Sequence, residues 1–300
     1  MPEEQQTAEP SSPKTGGRVL VTGASGSVGR EVLAALTRRG VPVRALSRNP
    51  RTVASWKDEG IDAALGSLDD LTGALPGCDR VFLLSAATPD QYGQDRLAID
   101  ACRAADISHV VKLSSGDAVP ESPISWARGH AYSDEYLLRS GLPFTLLKPS
   151  AFYPNLLSNA STIKRGFLPH TSKQGTTGWI DVADIAASAA AVFAGEGHDG
   201  ATYLLTGPEA LSYPDLALRF SSVLASTVRP VFLPAPLYRG ALRASGVDAW
   251  TATNLVAQFA DVVRDGRDDP GVTSSVHDLT AKSPVPVTDW IWSNSAAFRA

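Results

Sequence analysis

The sequence predicts an α/β protein built on a doubly wound parallel sheet, and three observations carry that expectation. Short β-branched runs alternate with helical patterns from residue 18 to residue 148, glycines cluster between the first run and the first helical pattern, and the composition is that of a packed body. With 300 residues, 43% hydrophobic and 19% charged, the chain can bury a sizeable core and is neither disordered nor fibrous as a whole.

The elements follow in order. Residues 18–22 (RVLVT) read as a strand; residues 28–39 place Val28, Val32, Leu33 and Leu36 at helical spacing before Gly40 stops the helix. A second strand is expected at 41–47, a polar helix at 52–59 and a brief third strand at 62–65. Residues 80–85 (RVFLLS) and 109–115 (HVVKLSS) are strand-like, and between them 91–105 carries Leu97, Ile99 and Cys102 in a helical pattern. A helix over 125–140 ends at Gly141 and leads into a strand at 144–148. Right-handed crossovers between such units give helices on both faces of the sheet.

After Pro149 the rhythm loosens. A helix capped by Asp181 is expected over 181–193, a strand at 201–206, an amphipathic helix at 213–225 and a further strand at 228–233. Helices near 236–244 and 249–264 and a last one over 288–298 complete the chain, with Trp290 and Trp292 anchoring that last helix in the core. The expected organisation is a disordered tail at 1–17, an α/β core at 18–155, and sheet additions with a helical lobe at 156–300.

The 27 Lys and Arg against 31 Asp and Glu leave a net charge of −4, so no overall positive field favours nucleic acid or an anionic membrane, and a small molecule is the expected partner. Two cysteines, Cys78 and Cys102, give no disulfide framework, and the five histidines form no metal-ligand spacing. The N-terminal stretch has no apolar core, and the low-polarity run 185–194 is too short to span a bilayer. A cytoplasmic monomer or homodimer is expected.

Most of the information sits in T-G-A-S-G-S-V-G. Gly23, Gly26 and Gly29, with Ser25, Ser27 and Val28, lie between strand and helix, where the backbone can approach a pyrophosphate and the helix N-terminus stabilises its charge. This marks a Rossmann-type sheet. At the end of the second strand there is no acid to hold a ribose 2′-hydroxyl; Arg44, Arg48 and Arg51 stand there instead, with Arg48 the best placed for a 2′-phosphate. NADP(H) is therefore expected, ahead of NAD.

Together with VRALSRNP, GSLDD at 66–70, HVVKLSS, HAYSD at 130–134, SGLPFTLLKPSAFYPN at 140–155, DVADIA at 181–186 and TYLLTGPEALSY at 202–213, that motif resembles the NmrA-like, atypical short-chain dehydrogenase/reductase family. The family includes NADPH-dependent quinone reductases, triphenylmethane reductases and azoreductase-like proteins. The resemblance implies cofactor contacts at Ser67, Leu68, Ser85, Ala86, Ser114, Pro149 and Phe152. It also implies that the Tyr-x-x-x-Lys pair of related enzymes is replaced by Trp126 and His130, with His130 facing the nicotinamide ribose and Asp134 one turn later. Tyr132 and Tyr136 do not restore the pair and are expected to pack. Phe152, Tyr153 and Asn155 are the implied substrate contacts, and His130, Tyr153 and Ser115 the candidate catalytic groups, with a proton coming from water, Tyr153 or a protonated His130. The leading expectation is an NADPH-dependent reductase of a conjugated acceptor such as a quinone; an NADP-sensing regulator without turnover and a biosynthetic tailoring reductase remain alternatives.

Overall fold

The computed structural model describes residues 17–172, 175–262 and 271–299. Seven strands, β1 (Val19–Val21), β2 (Val43–Ser47), β3 (Ala63–Leu65), β4 (Arg80–Leu83), β5 (His109–Leu113), β6 (Phe144–Pro149) and β8 (Ala201–Leu205), form one sheet in the order β3-β2-β1-β4-β5-β6-β8. Every pairing in it is parallel. The winding reverses between β1 and β4, and the carboxyl ends of those strands flank the crevice where such sheets take ligands.

Each face of the sheet carries its own apolar layer. Helices α1 (Ser27–Arg38) and α6 (Val182–Ala194) bury Val32, Leu36, Ile185 and Ala189 against Val19, Val21 and Val111. On the other face, α3 (Gln91–Ala104) and α4 (Ser125–Arg139) bury Ile99, Cys102 and Leu137 against Leu20, Val81 and Val110. Successive residues of β1 thus serve opposite layers, as strand geometry requires. Asp181 caps α6 as expected, its side chain accepting from the Ala183 N–H.

The later residues build a second cluster around Trp179, Tyr213, Phe220, Phe259 and Trp290. It packs α7 (Tyr213–Leu224) and α11 (Val287–Ser293) beside a two-stranded parallel ribbon, β7 (Phe167–His170) with β9 (Arg229–Phe232). The strand expected at 228–233 therefore adds to this ribbon and not to the main sheet. Its partner β7 carried no sequence signal: four residues including Pro169, which lacks an N–H, fit only a short edge pairing. Helices α8 (Ala235–Ala244) and α9 (Ala249–Val256) form the cap, and the chain continues from α9 into a π-helical turn at Ala257–Val262. The expected helix over 249–264 changes pitch there, and its last residues lie outside the described ones, as does the expected tail apart from Gly17.

Two expected core residues face outward. Leu97 is 40% exposed because the buried stripe of α3 runs through Gln91, Asp95, Ala98 and Cys102, and Trp292 is 66% exposed, two residues round the helix from buried Trp290. Cys102 is fully buried and Cys78 half-buried; burial pushes both thiols up, Cys102 to about 12. No helix among the described residues is long and apolar enough to cross a membrane.

Candidate active site

The glycine turn leaves β1 with Gly23 at φ +60°, where a side chain would also press on Leu84, and it enters α1 at Gly29. A Cβ on Gly29 would lie 2.1 Å from the Gly23 carbonyl oxygen, so only glycine lets helix and turn close up. The Gly26 N–H closes the turn onto the Gly23 carbonyl, and no side chain caps α1 and no acid sits in its first turn, a setting suited to an anion at the leading N–H groups of the helix. Val28 is buried and anchors the turn in the core.

At the end of β2, Arg44 is not available to a ligand. Its guanidinium pairs with Asp62 at 3.1 Å and donates to the Ala74 and Pro76 carbonyls, a structural clamp that residue spacing gave no hint of. Arg48 is exposed beside the turn, and Ser47 ends the strand where a ribose-binding acid would stand. Ser67 donates to Asp69 at 3.4 Å, and Leu68 packs into the layer beneath α3.

A cavity of about 620 Å³ opens at the carboxyl ends of β4, β5 and β6 and runs under the cap. Its floor includes Ser85, Ser114, Ser115, Asp117, His130, Pro149 and Phe152, and its outer wall includes Trp126, Asn155, Trp179, Tyr238, Leu255 and Phe259. Ser85 presents a buried hydroxyl without a hydrogen-bond partner, a polar atom awaiting a ligand. Ala87, rather than Ala86, lines the space. The cap is tied to α4 by Asn254, whose side-chain oxygen accepts the Ser125 N–H at 2.5 Å, and by an edge contact between Trp126 and Trp250 with ring centres 5.7 Å apart.

Tyr153 lies outside this cavity, which corrects the expectation that it contacts substrate or gives a proton. It is fully buried, its hydroxyl donates to the Val285 carbonyl at 3.0 Å, and burial drives the phenol far above its ordinary range. A protonated His130 is likewise unsupported. Burial and the charges of Lys112 and Lys148 push its imidazole well below the ordinary range despite Asp134, which disfavours the imidazolium. His130 and Asp134 are no surface pair: Asp134 is buried, His130 is half-buried at the cavity floor, and both meet Lys112. Tyr132 is 43% exposed, and with Tyr92 and Tyr136 forms an edge-packed surface cluster.

Sequence reasoning named Asp134 and Ser114 but missed Lys112 and Asp95 behind the floor. Lys112 is fully buried in β5, with Asp134 at 3.0 Å and Asp95 at 3.7 Å, while Lys148 reaches the other Asp134 oxygen at 3.1 Å and Ser114 donates to it at 2.6 Å. Burial alone would push the Asp134 carboxyl up; the two lysines and Ser114 outweigh it and hold it low. A charged residue inside the otherwise apolar run HVVKL was the available signal. Asp117 is a second omission: buried, hydrogen-bonded to Ser115, with its other oxygen unpartnered and its carboxyl pushed up by burial. Among the described residues no group of three His, Cys, Asp or Glu could hold a metal ion.

A parallel sheet with this switch point, an uncapped glycine turn and a cavity beside it define a dinucleotide-binding protein of the short-chain reductase type. The residues present fit such a cofactor: Gly29 has no Cβ to fill the close approach of turn and helix, and the buried Ser85 hydroxyl has no hydrogen-bond partner within the protein. Residues 23–195 match the NAD(P)H-binding family, and the chain belongs to it, within its quinone oxidoreductase and azoreductase-like branch of the NmrA-like superfamily. The chain is 34% identical over 284 residues to (4-alkanoyl-5-oxo-2,5-dihydrofuran-3-yl)methyl phosphate reductase of Streptomyces griseus, covering 93% of this chain and 99% of the relative. It is 29% identical to the NAD(P)H azoreductase of Xenophilus azovorans, over 94% and 99% of the two chains. Among solved structures, an NADPH-dependent quinone oxidoreductase of Escherichia coli superposes with a TM-score of 0.82 at 26% identity, covering 94% of this chain and 100% of that one.

Proposed function

We propose that this protein is an NADPH-dependent reductase of uncharged, flat, conjugated acceptors of the quinone type. The observation that carries the reading is the cavity lining: aromatic and aliphatic side chains interspersed with neutral polar ones, and among its described residues Asp117 is the only acid and there is no Lys or Arg. Azo compounds, quinones and dihydrofuranones, the compounds named for the relatives, share a conjugated π-system. The phosphate ester reduced by the Streptomyces relative would find no cation among the described lining residues, which favours a neutral acceptor. Arg48, exposed beside Ser47, is the group assigned to the 2′-phosphate.

A bound nicotinamide supplies a hydride from its C4. The chain's part is placement and exclusion of water. Ser85, Ser114 and Pro149 form the edge against which the ring would rest, and Trp126, Phe152 and the cap press an acceptor onto it. Holding two reactants in contact contributes several kcal/mol to the barrier reduction. Delocalisation of the incoming charge in a conjugated acceptor lessens the need for a strong acid, in keeping with a chain whose buried Tyr153 is committed to Val285.

The test is stopped-flow mixing of the NADPH-loaded protein with neutral quinones and with a phosphorylated dihydrofuranone. Rapid loss of nicotinamide absorbance with the quinones and slow loss with the phosphate ester is expected. Tight NADPH binding without turnover of any acceptor would instead favour a cofactor-sensing regulator.

A further inference from the structure

Behind the cavity floor, His130 has two ring nitrogens in different surroundings. Nδ1 lies 3.2 Å from Lys112 Nζ and 3.0 Å from Gln91 Nε2, on the protein side, while His130 itself lines the cavity. Lys112 faces two carboxylates, Asp134 at 3.0 Å and Asp95 at 3.7 Å, and so stands as an ammonium with hydrogens to give and no lone pair to accept. A nitrogen held against it must be the unprotonated one. The ring proton then sits on Nε2. Gln91 Oε1 has no partner as it stands, and turning the amide would set that acceptor against Nδ1; the ammonium 3.2 Å away, with only hydrogens to give, is what opposes a proton there.

We infer that Lys112 is a positioning residue that locks His130 in its neutral Nε2–H form, making it a fixed hydrogen-bond donor to the negative charge that develops on the acceptor. The inference rests on the reductase reading. It replaces a titrating acid with a donor that keeps its own proton, the acceptor leaving as its hydride-reduced anion and taking its proton from water, and it gives the buried lysine a task beyond neutralising Asp95 and Asp134. The charge behind the ring also polarises the outward N–H. The groups facing His130 are Lys112 from β5, Gln91 and, through Lys112, Asp95 from α3, Asp134 from α4, and Lys148 from β6, which joins through Asp134. Two cations against two carboxylates leave that surrounding neutral, so a third cation on His130 is disfavoured. Turnover of a quinone should accordingly be level with pH through the range where an ordinary imidazole titrates, near 6.5.

The experiment is ¹⁵N NMR of the imidazole rings, with His130 assigned by His130→Asn, in the protein without added acceptor. The expected result is an unprotonated Nδ1 and a protonated Nε2 from about pH 6 to pH 8. A proton on Nδ1, or an imidazolium forming near 6.5, would overturn the inference whatever the turnover results. Lys112→Met should release the ring: the two tautomers mix, kcat falls at least about tenfold with little change in the Kd for NADPH, and a pH inflection appears. Because that variant strands Asp95, the pair Lys112→Met with Asp95→Asn is made as well. An unchanged tautomer and a level pH profile in this folded double variant would equally overturn it. An Nε2–H ring in a protein that reduces no acceptor would leave the positioning intact and sink the reductase reading, so the two failures are distinguishable.

Discussion

Arg48 stands clear of the ion pairs that bind Arg18 and Arg44 to Asp62, so removing its guanidinium disturbs no internal partner. Arg48→Ala should weaken NADPH roughly 10- to 100-fold, the worth of one or two charge-assisted hydrogen bonds, and change NADH less than about twofold. Parallel fluorescence titrations measure both, and equal losses would remove the 2′-phosphate assignment. Gly26→Val is the companion case. A Cβ there meets only the Gly23 carbonyl oxygen at 3.3 Å, so the fold tolerates it at about 1 kcal/mol while the new side chain covers the uncapped N–H groups. Loss of dinucleotide binding with a nearly unchanged urea midpoint is expected. At this scale the sequence was legible where backbone chemistry decides, as in the glycine turn. It was opaque where distant residues decide: nothing near Tyr153 in sequence announces the Val285 carbonyl, and nothing near Arg44 announces Asp62.

Helix α6 does more than cover the sheet, because Asp184 in its first turn accepts the Val285 N–H at 2.8 Å and so clamps the segment that leads into α11. Burial raises the Asp184 carboxyl to about 6 in spite of that bond. A carboxyl raised above its unfolded value contributes stability that is present below about pH 4 and lost as pH rises through 6. Asp184→Asn keeps an oxygen for Val285 and removes the charge. It should gain about 1–2 kcal/mol at pH 7.5 and nothing near pH 4, read from urea unfolding beside the parent protein. The cap offers a second element-level test. Trp250→Ala removes the edge contact to Trp126, worth about 0.5–1.5 kcal/mol, and should raise the KM for acceptor roughly 2- to 12-fold with the NADPH Kd unaltered. Steady-state kinetics separates the two. Periodicity revealed α1 and α3 because each lays an apolar stripe on the sheet, while α6, buried nearly all round, was announced by its Asp181 cap. Periodicity did not reveal the β7–β9 ribbon, whose pairing joins residues 62 apart in register between Phe167 and Arg229 and whose strands lack alternation.

For the molecule as a whole, the alternation of strands and helices already implied the winding and hence the place of the crevice, whereas the acceptor-facing wall is drawn from Trp126, Asn155, Tyr238 and Phe259, which come together only through packing of the later residues. One distributed property has a bearing on working life. Quinones arylate thiolates, and an enzyme that handles them is exposed to damage by its own substrate. Here Cys102 is sealed in the layer between α3 and the sheet, Cys78 is turned toward the Ala74 carbonyl, and both thiols are held in the unreactive protonated form. The single methionine of the chain is Met1, so the body offers oxidants no thioether either. Brief treatment of the native protein with excess benzoquinone should leave the intact mass unchanged, and the same treatment in guanidinium should add two adducts. The burial that stabilises the α3 layer thereby also shields the Cys102 thiol from the electrophilic acceptors proposed for the cavity.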